Sequence, residues 1–234
     1  MSFNNRNLTE SHLKDGDRKE TIPQAADVAD TSTQIHGPFF IEQMLLFEYK
    51  ELSKHNLTGV FVLPSAHNPL CWHGVVFVRH GVYIEGVFKF DILIPQNFPY
   101  GNCPKIIFTN PIYHPDVNPE TGELYLKKSF PEWSPRNHLY QILLHIKQIF
   151  YRVNTENAVN SEAAYLYESE FHRFKQKVAQ SIEKGRRRLF DNDSDDPHAI
   201  KFKKWDPNVH EVALKSLLAN KKEILKAGIL SRNS

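Results

Sequence analysis

Hydrophobic patterning begins late in this chain. Residues 1 to about 36 are polar, with scattered Asp, Asn, Thr, Gln and Lys and almost no aromatics. Such a stretch cannot bury enough apolar surface to offset the entropy of ordering, so 1–36 is expected to be a disordered arm. Order is expected from "GPFFIEQMLLFEYKELSKHN", where Ile41, Leu45, Tyr49 and Leu52 recur at helical spacing with Met44 beside them. Four β-like runs follow. "GVFVLP" ends on Pro64, a strand terminator, and "WHGVVFVRHG" closes on a Gly-marked turn. "GVFKFDILIP" alternates, with Phe88, Phe90, Ile92 and Ile94 on one face and Lys89 and Asp91 on the other; "PKIIFTN" is the fourth run. The turns between them are short, which predicts an antiparallel meander.

Helical periodicity then returns through Leu139, Ile142, Leu143, Ile146, Ile149, Phe150 and Val153. A further helix is expected from Ser161, where "SEAA" offers a cap and an acidic first turn, with Ala163, Tyr167, Phe171, Phe174 and Val178 as its apolar face. After an acidic break at Asp191 comes "AIKFKKWDP" and a helix-like segment from Val209 to about Leu225. The predicted organisation is the arm (1–36), a domain over 37–190 and a C-terminal extension over 191–234 that carries a short helix. The layout predicts an α+β fold, with helices on one face and at one end of an antiparallel sheet.

Composition narrows the function classes. A chain of 234 residues with 41% hydrophobic and 12% aromatic residues suits one globular domain with tails. A net charge of +2 supplies no concentrated basic surface for nucleic acid. The one dense basic run, Lys184 to Phe190, is answered at once by "DNDSDD" and is expected to be a solvated helix end. Two cysteines, Cys71 and Cys103, are too few for a disulfide framework or a structural zinc site. Among the histidines, His67, His73, His80, His138 and His145 show no paired metal-ligand spacing, so no metal or other cofactor is expected. The N-terminal sequence lacks a secretory signal and no apolar run reaches membrane-spanning length. The expectation is a soluble cytosolic or nuclear protein with reduced thiols.

The chemistry-bearing stretch is "YHPDVNPETGELYLKKSFPEWSP", Tyr113 to Pro135, a rigid-looking frame with no cysteine in its middle. Preceded by "NFPYGNCPKIIF", its order and spacing resemble the ubiquitin-conjugating enzyme family, over roughly Gly37 to Phe190. His114 and Pro115 match the family's His-Pro-Asn triplet, Asp116 stands where it has asparagine, and Trp133, Ser134 and Pro135 match the later triplet. The family's nucleophilic cysteine lies eight residues before that Trp, which leads to Tyr125; counting forward from His114 leads to Leu124, because this loop is one residue longer.

Neither residue is a thiol. Conjugation needs a thiolate that accepts the ubiquitin C-terminus as a thioester. Tyrosine, with a pKa near 10, is ionised to only about one part in a thousand at neutral pH. The family's asparagine resembles an oxyanion stabiliser, and losing one such donor costs about 2.7–4 kcal/mol of barrier. A carboxylate at Asp116 would oppose the developing charge. The resemblance therefore implies a non-catalytic variant, with His114 holding the loop's shape and Cys71 and Cys103 serving as packed small residues.

Within such variants, "GVFVLPS", "WHGVVFVRHGVYIEGVFKFDILIPQNFP", "FPEW" and "DPHAIKF…WDPNVH" are similar to the fused toes and crossbronx group. That resemblance implies an adaptor that works with Hook-type coiled-coil microtubule adaptors and a scaffold subunit in vesicle and endosome transport. The alternative is a regulatory subunit that binds ubiquitin and pairs with an active conjugating enzyme. Glu42, Glu48 and Glu51 against Lys50 and Lys54 make the first helix a poor match for an activating enzyme. Tyr100 and Trp133 are candidates for ligase docking or for loop packing, and Arg136 replaces the alanine of the family's Ser-Pro-Ala loop. Phe202, Trp205 and Leu217 could anchor a partner helix or fold back on their own domain.

Overall fold

Alternation along one strand sets the core. Phe88, Phe90, Ile92 and Ile94 are buried, while Lys89 and Asp91 reach the opposite face. The computed structural model describes residues 37–191 and 194–230, with side chains in the last helix described as far as Asn220. The expected arm over 1–36 lies outside the described residues. The chain divides after Gly37, and every element named below belongs to the unit that begins at Pro38.

Helix α1 (Pro38–Leu52) precedes strands β1 (Val60–Pro64), β2 (Cys71–Phe77), β3 (Val87–Leu93) and β4 (Lys105–Phe108). These pair antiparallel in the order β1-β2-β3-β4, the meander expected from the short turns. Register places Gly74 opposite Phe90, where a β-carbon on Gly74 would come within 2.3 Å of the Phe90 ring. Glycine there lets the aromatic lie flat across the sheet.

Helix α2 (Leu139–Ile149) crosses the inner face and buries Leu139, Ile142, Leu143, Ile146 and Ile149. The next helical segment is broken, unlike the single helix expected. Glu170 (φ −137°, ψ 56°) separates α3 (Ser161–Ser169) from α4 (Phe171–Arg188). The bend lets Ala163 and Leu166 on α3 and Phe174 and Val178 on α4 all reach the core, leaving Phe171 part-exposed against Phe174. No Pro or Gly marks it. The cap of α3 is Asn160, whose side chain accepts from the Ala163 N–H at 3.0 Å, rather than Ser161.

The face of α1 also differs from the periodic reading. Tyr49 is 38% exposed, and Glu48 is buried in its stead. One Glu48 oxygen accepts from the Leu139 N–H at 2.8 Å and the other lies 2.8 Å from His138 Nδ1. This carboxylate serves the unpaired N–H groups at the start of α2, so it is no part of the surface charge that the sequence reading counted.

After α4 the chain returns to the sheet. Asp196 accepts from Ser65 Oγ, from the Ala66 N–H at 3.2 Å and from the His198 N–H at 2.7 Å. Phe202 packs edge-on against Phe77 at 6.2 Å, with Lys89 Nζ 5.3 Å from its ring centre. Residues 196–202 thus form a strap over the outer sheet face. Helix α5 (Pro207–Leu230) follows. It starts earlier than the periodicity suggested, because Asp206 caps it and Pro207 takes the first helical position. No helix among the described residues is long and apolar enough to cross a membrane.

Candidate functional site

The frame at Tyr113 to Pro135 is built on a buried histidine. His114 is fully buried; its Nε2–H donates to the Ile149 carbonyl at 3.1 Å and its Nδ1 accepts from the Asp116 N–H at 3.0 Å. Two opposite roles on one ring require the neutral imidazole. Burial pushes its pKa down to about 4, against the raising effect of the Ile149 hydrogen bond. Beside it, Tyr83 is buried in the β2–β3 connection and its hydroxyl donates to the Tyr113 carbonyl at 2.8 Å. His114 therefore ties the loop to the end of α2, consistent with a structural role.

Asp116 lies two residues on, and its carboxylate is not left facing an open pocket. Lys128 Nζ donates to it at 2.5 Å, with side-chain exposures of 7% for the acid and 18% for the base. The Asp116 carbonyl accepts from the Tyr125 N–H at 2.8 Å, and a Val117–Leu124 bridge lies beside that bond. The turn between closes on Asn118, whose side chain accepts from the Glu120 and Thr121 N–H groups. Gly122 (φ +72°) then bonds through its carbonyl to the Phe108 N–H. A β-carbon there would meet the Phe108 carbonyl oxygen at 2.4 Å, so the site requires glycine on two counts.

This hairpin sorts the two candidate positions. Both border a cleft of about 840 Å³, but Leu124 is 2% exposed and packed into the core, whereas Tyr125 is half-buried. The cleft runs between the Gly101–Lys105 turn, the 123–127 segment and Phe130 to Trp133. Its lining mixes apolar surface with charges of both signs, among them the Lys105–Glu123 pair at 3.5 Å. Trp133 sits between Phe98 at 6.2 Å and Phe130 at 5.9 Å, with its indole N–H buried and unpartnered. Tyr100, in the preceding turn, is 60% exposed.

Cys103 also lines the cleft, but burial pushes its thiol up to about 11. Cys71 stands at the start of β2 and is pushed to about 11 by burial and by the nearby Asp91 and Asp196 carboxylates. Both are protonated at neutral pH, the opposite of an activated nucleophile. Of the other sequence candidates, Phe202 lies on the outer sheet face rather than in the cleft. Trp205 is exposed and stacked on His210 at 5.0 Å, and Leu217 is exposed on α5.

Sequence reasoning missed Lys128, Asp196 and the grouping of Cys71, His73 and Asp91. The last had a signal in view: Cys-x-His on one strand puts two ligand atoms on one face. Asp91 joins them through strand register, directly opposite His73.

Residues 44–182 match the family described as Ubiquitin-conjugating enzyme. The human AKT-interacting protein is 42% identical over 207 residues, covering 87% of this chain and 71% of that protein. The zebrafish (Danio rerio) AKT-interacting protein is 44% identical over 189 residues, covering 80% and 64% respectively. Among solved structures, a putative ubiquitin conjugating enzyme from Plasmodium yoelii superposes with TM-score 0.55 at 26% identity, covering 60% of this chain and 92% of that one. The E2 domain of a Toxoplasma gondii ubiquitin conjugating enzyme gives TM-score 0.53 at 26% identity, covering 61% and 96%. A matching family over most of the ordered core, relatives aligned along most of the chain and the four-stranded meander with its helices agree: this chain belongs to the ubiquitin-conjugating enzyme family, as a variant like the AKT-interacting proteins.

Proposed function

We propose that this chain is a catalytically inactive conjugating-enzyme variant that works as a protein-binding adaptor. One observation supports the reading: Leu124 and Tyr125, to which the two motif counts lead, both border the cleft, and neither they nor their neighbours on that segment carry a thiol. Of the chain's two thiols, Cys71 lies on the sheet and Cys103 borders the cleft from the opposite turn, and burial pushes both up to about 11. A tyrosine hydroxyl is a far poorer nucleophile toward a ubiquitin thioester than a cysteine thiolate. Asp116, in the place of the oxyanion asparagine, is engaged by Lys128 and offers no donor to a developing negative charge.

The adaptor role rests on surfaces rather than chemistry. The curated relatives are named for interacting with AKT, which marks protein binding as their role. Resemblance to the fused toes and crossbronx group extends this to Hook-type coiled-coil adaptors and a scaffold subunit, in cytoplasmic vesicle transport. Tyr100, Trp205 and Leu217 are among the exposed large side chains of the described residues. A second reading, a regulatory subunit that binds ubiquitin, is favoured by the cleft, which stays open beside Tyr125.

Incubation with activating enzyme, ATP and ubiquitin tests the first reading. No thiol-sensitive ubiquitin adduct is expected, and one mapped to Cys103 or Cys71 would overturn inactivity. Affinity purification then separates the partner classes, with Hook-like coiled-coil proteins expected in preference to ubiquitin machinery. Saturable ubiquitin binding in a titration would favour the regulatory subunit.

A further inference from the structure

Three side chains on the outer sheet face form a donor set that the conjugating-enzyme frame does not use. Cys71 and His73 lie two apart on β2 and so project to the same side, while Trp72 between them is fully buried. Register sets Asp91 of β3 directly opposite His73. One ligand atom from each of Cys71, His73 and Asp91 lies within 4.8 Å of the others. Among the described residues no other three Cys, His, Asp or Glu side chains converge this closely.

We propose that Cys71, His73 and Asp91 form a binding site for a divalent cation of the zinc class. The donors decide the class. One sulfur, one imidazole nitrogen and one carboxylate oxygen suit a borderline-soft ion, whereas magnesium and calcium take oxygen ligands. With the thiol proton released to solvent, the thiolate and carboxylate carry two negative charges, which balance the cation's two positive ones. Three protein ligands leave a fourth tetrahedral position for water or a partner's side chain.

The surrounding residues already orient the histidine. His73 Nε2 faces Asp196 Oδ2 at 3.2 Å, the carboxylate–histidine arrangement that fixes an imidazole so its other nitrogen can ligate. Asp196 is itself held by Ser65 and by the Ala66 and His198 N–H groups. Binding requires small side-chain adjustments from the present spacing, in which the three ligand atoms lie within 4.8 Å of one another. His73 Nδ1 and Asp91 Oδ1 now share a hydrogen bond at 2.8 Å, and two ligands on one zinc stand about 3.3 Å apart. Asp91 has 30% side-chain exposure and room to turn by that amount. A bound ion would link β2 to β3 and, through Asp196, to the strap that follows α4.

The test uses the full chain, reduced and stripped with chelator, titrated with zinc against a chromophoric competitor and separately with cobalt(II) as a spectroscopic probe. Cobalt is expected to give a near-ultraviolet thiolate charge-transfer band that saturates at one ion per chain. Cys71→Ser and Asp91→Asn should each weaken zinc binding at least tenfold, and Cys71→Ser should abolish the band. Cys103→Ser should leave both intact, and Asp196→Asn should weaken binding by roughly tenfold. Circular dichroism of each variant establishes that it is folded. Absence of zinc binding, a band that survives Cys71→Ser, or equal affinities for wild type and Asp91→Asn would overturn the site.

Discussion

Lys128 donates to Asp116 across 2.5 Å at the base of the hairpin that carries Tyr125, with both side chains largely withdrawn from solvent. The pair neutralises a carboxylate that would otherwise stand uncompensated beside His114. Removing one partner of such a pair is costly because it strands the other. Lys128→Met is expected to destabilise the fold by about 3 kcal/mol in urea denaturation. Asp116→Asn should cost less, since the lysine is the more exposed partner, and the double variant should recover most of the loss. Equal effects of the two single changes would show that the pair is not acting through Asp116.

His114 predicts an acid-dependent loss of stability. Its folded pKa lies near 4, mainly through burial, with Asp116 raising it and Lys128 and His145 lowering it. Its unfolded pKa is about 6.5. The depressed group therefore contributes stability that is complete above the unfolded value. As pH falls from 6.5 towards 4, the unfolded chain takes up the proton first and that stability drains away. The full effect is about 3 kcal/mol. Urea titrations across that window should show the slope, and His114→Gln should flatten it.

Glu48 should behave as a tertiary cap. Glu48→Ala leaves the Leu139 N–H without its acceptor and is expected to cost about 2 kcal/mol, while Glu48→Gln, which retains an acceptor oxygen, should cost less. Thermal melts of the two variants check the order. If both melt like wild type, the contact carries no stability.

Phe202 and Trp205 should separate cleanly. Phe202 packs on Phe77 and under Lys89, so Phe202→Ala is expected to cost about 1–2 kcal/mol. Trp205 is 61% exposed, and Trp205→Ala should change stability by no more than about 0.5 kcal/mol. Partner capture should fall with Trp205→Ala. A large loss of melting temperature with capture spared would assign Trp205 to the domain itself.

Gly122 offers a backbone test. Gly122→Ala forces a side chain into a left-handed turn and against the Phe108 carbonyl, so a loss of at least 2 kcal/mol is expected. The comparison with Gly37→Ala, where nothing lies within 4 Å of the added carbon, controls for the substitution itself.

By itself the sequence determined what depends on local periodicity and on order along the chain. Alternation from Phe88 to Ile94 and the helical repeat from Leu139 to Phe150 mark which faces are buried, because each pattern reports a single element against one core. The sequence of motifs from His114 to Pro135 pointed to the family in the same way. Tertiary structure alone decided matters that join distant residues. Leu124 is packed into the core while Tyr125 stays half-buried, in a hairpin where Tyr125 bonds back to Asp116 and Leu124 bridges Val117. Glu48 is buried because α2 presents unpaired N–H groups ninety-one positions later in the chain. Asp91 meets His73 through strand register, and Asp196 reaches Ser65 only after the chain has passed three further strands and three helices. Such polar pairings leave no periodic trace, since a hydrogen bond needs two groups to meet in space and sets no spacing between them along the chain.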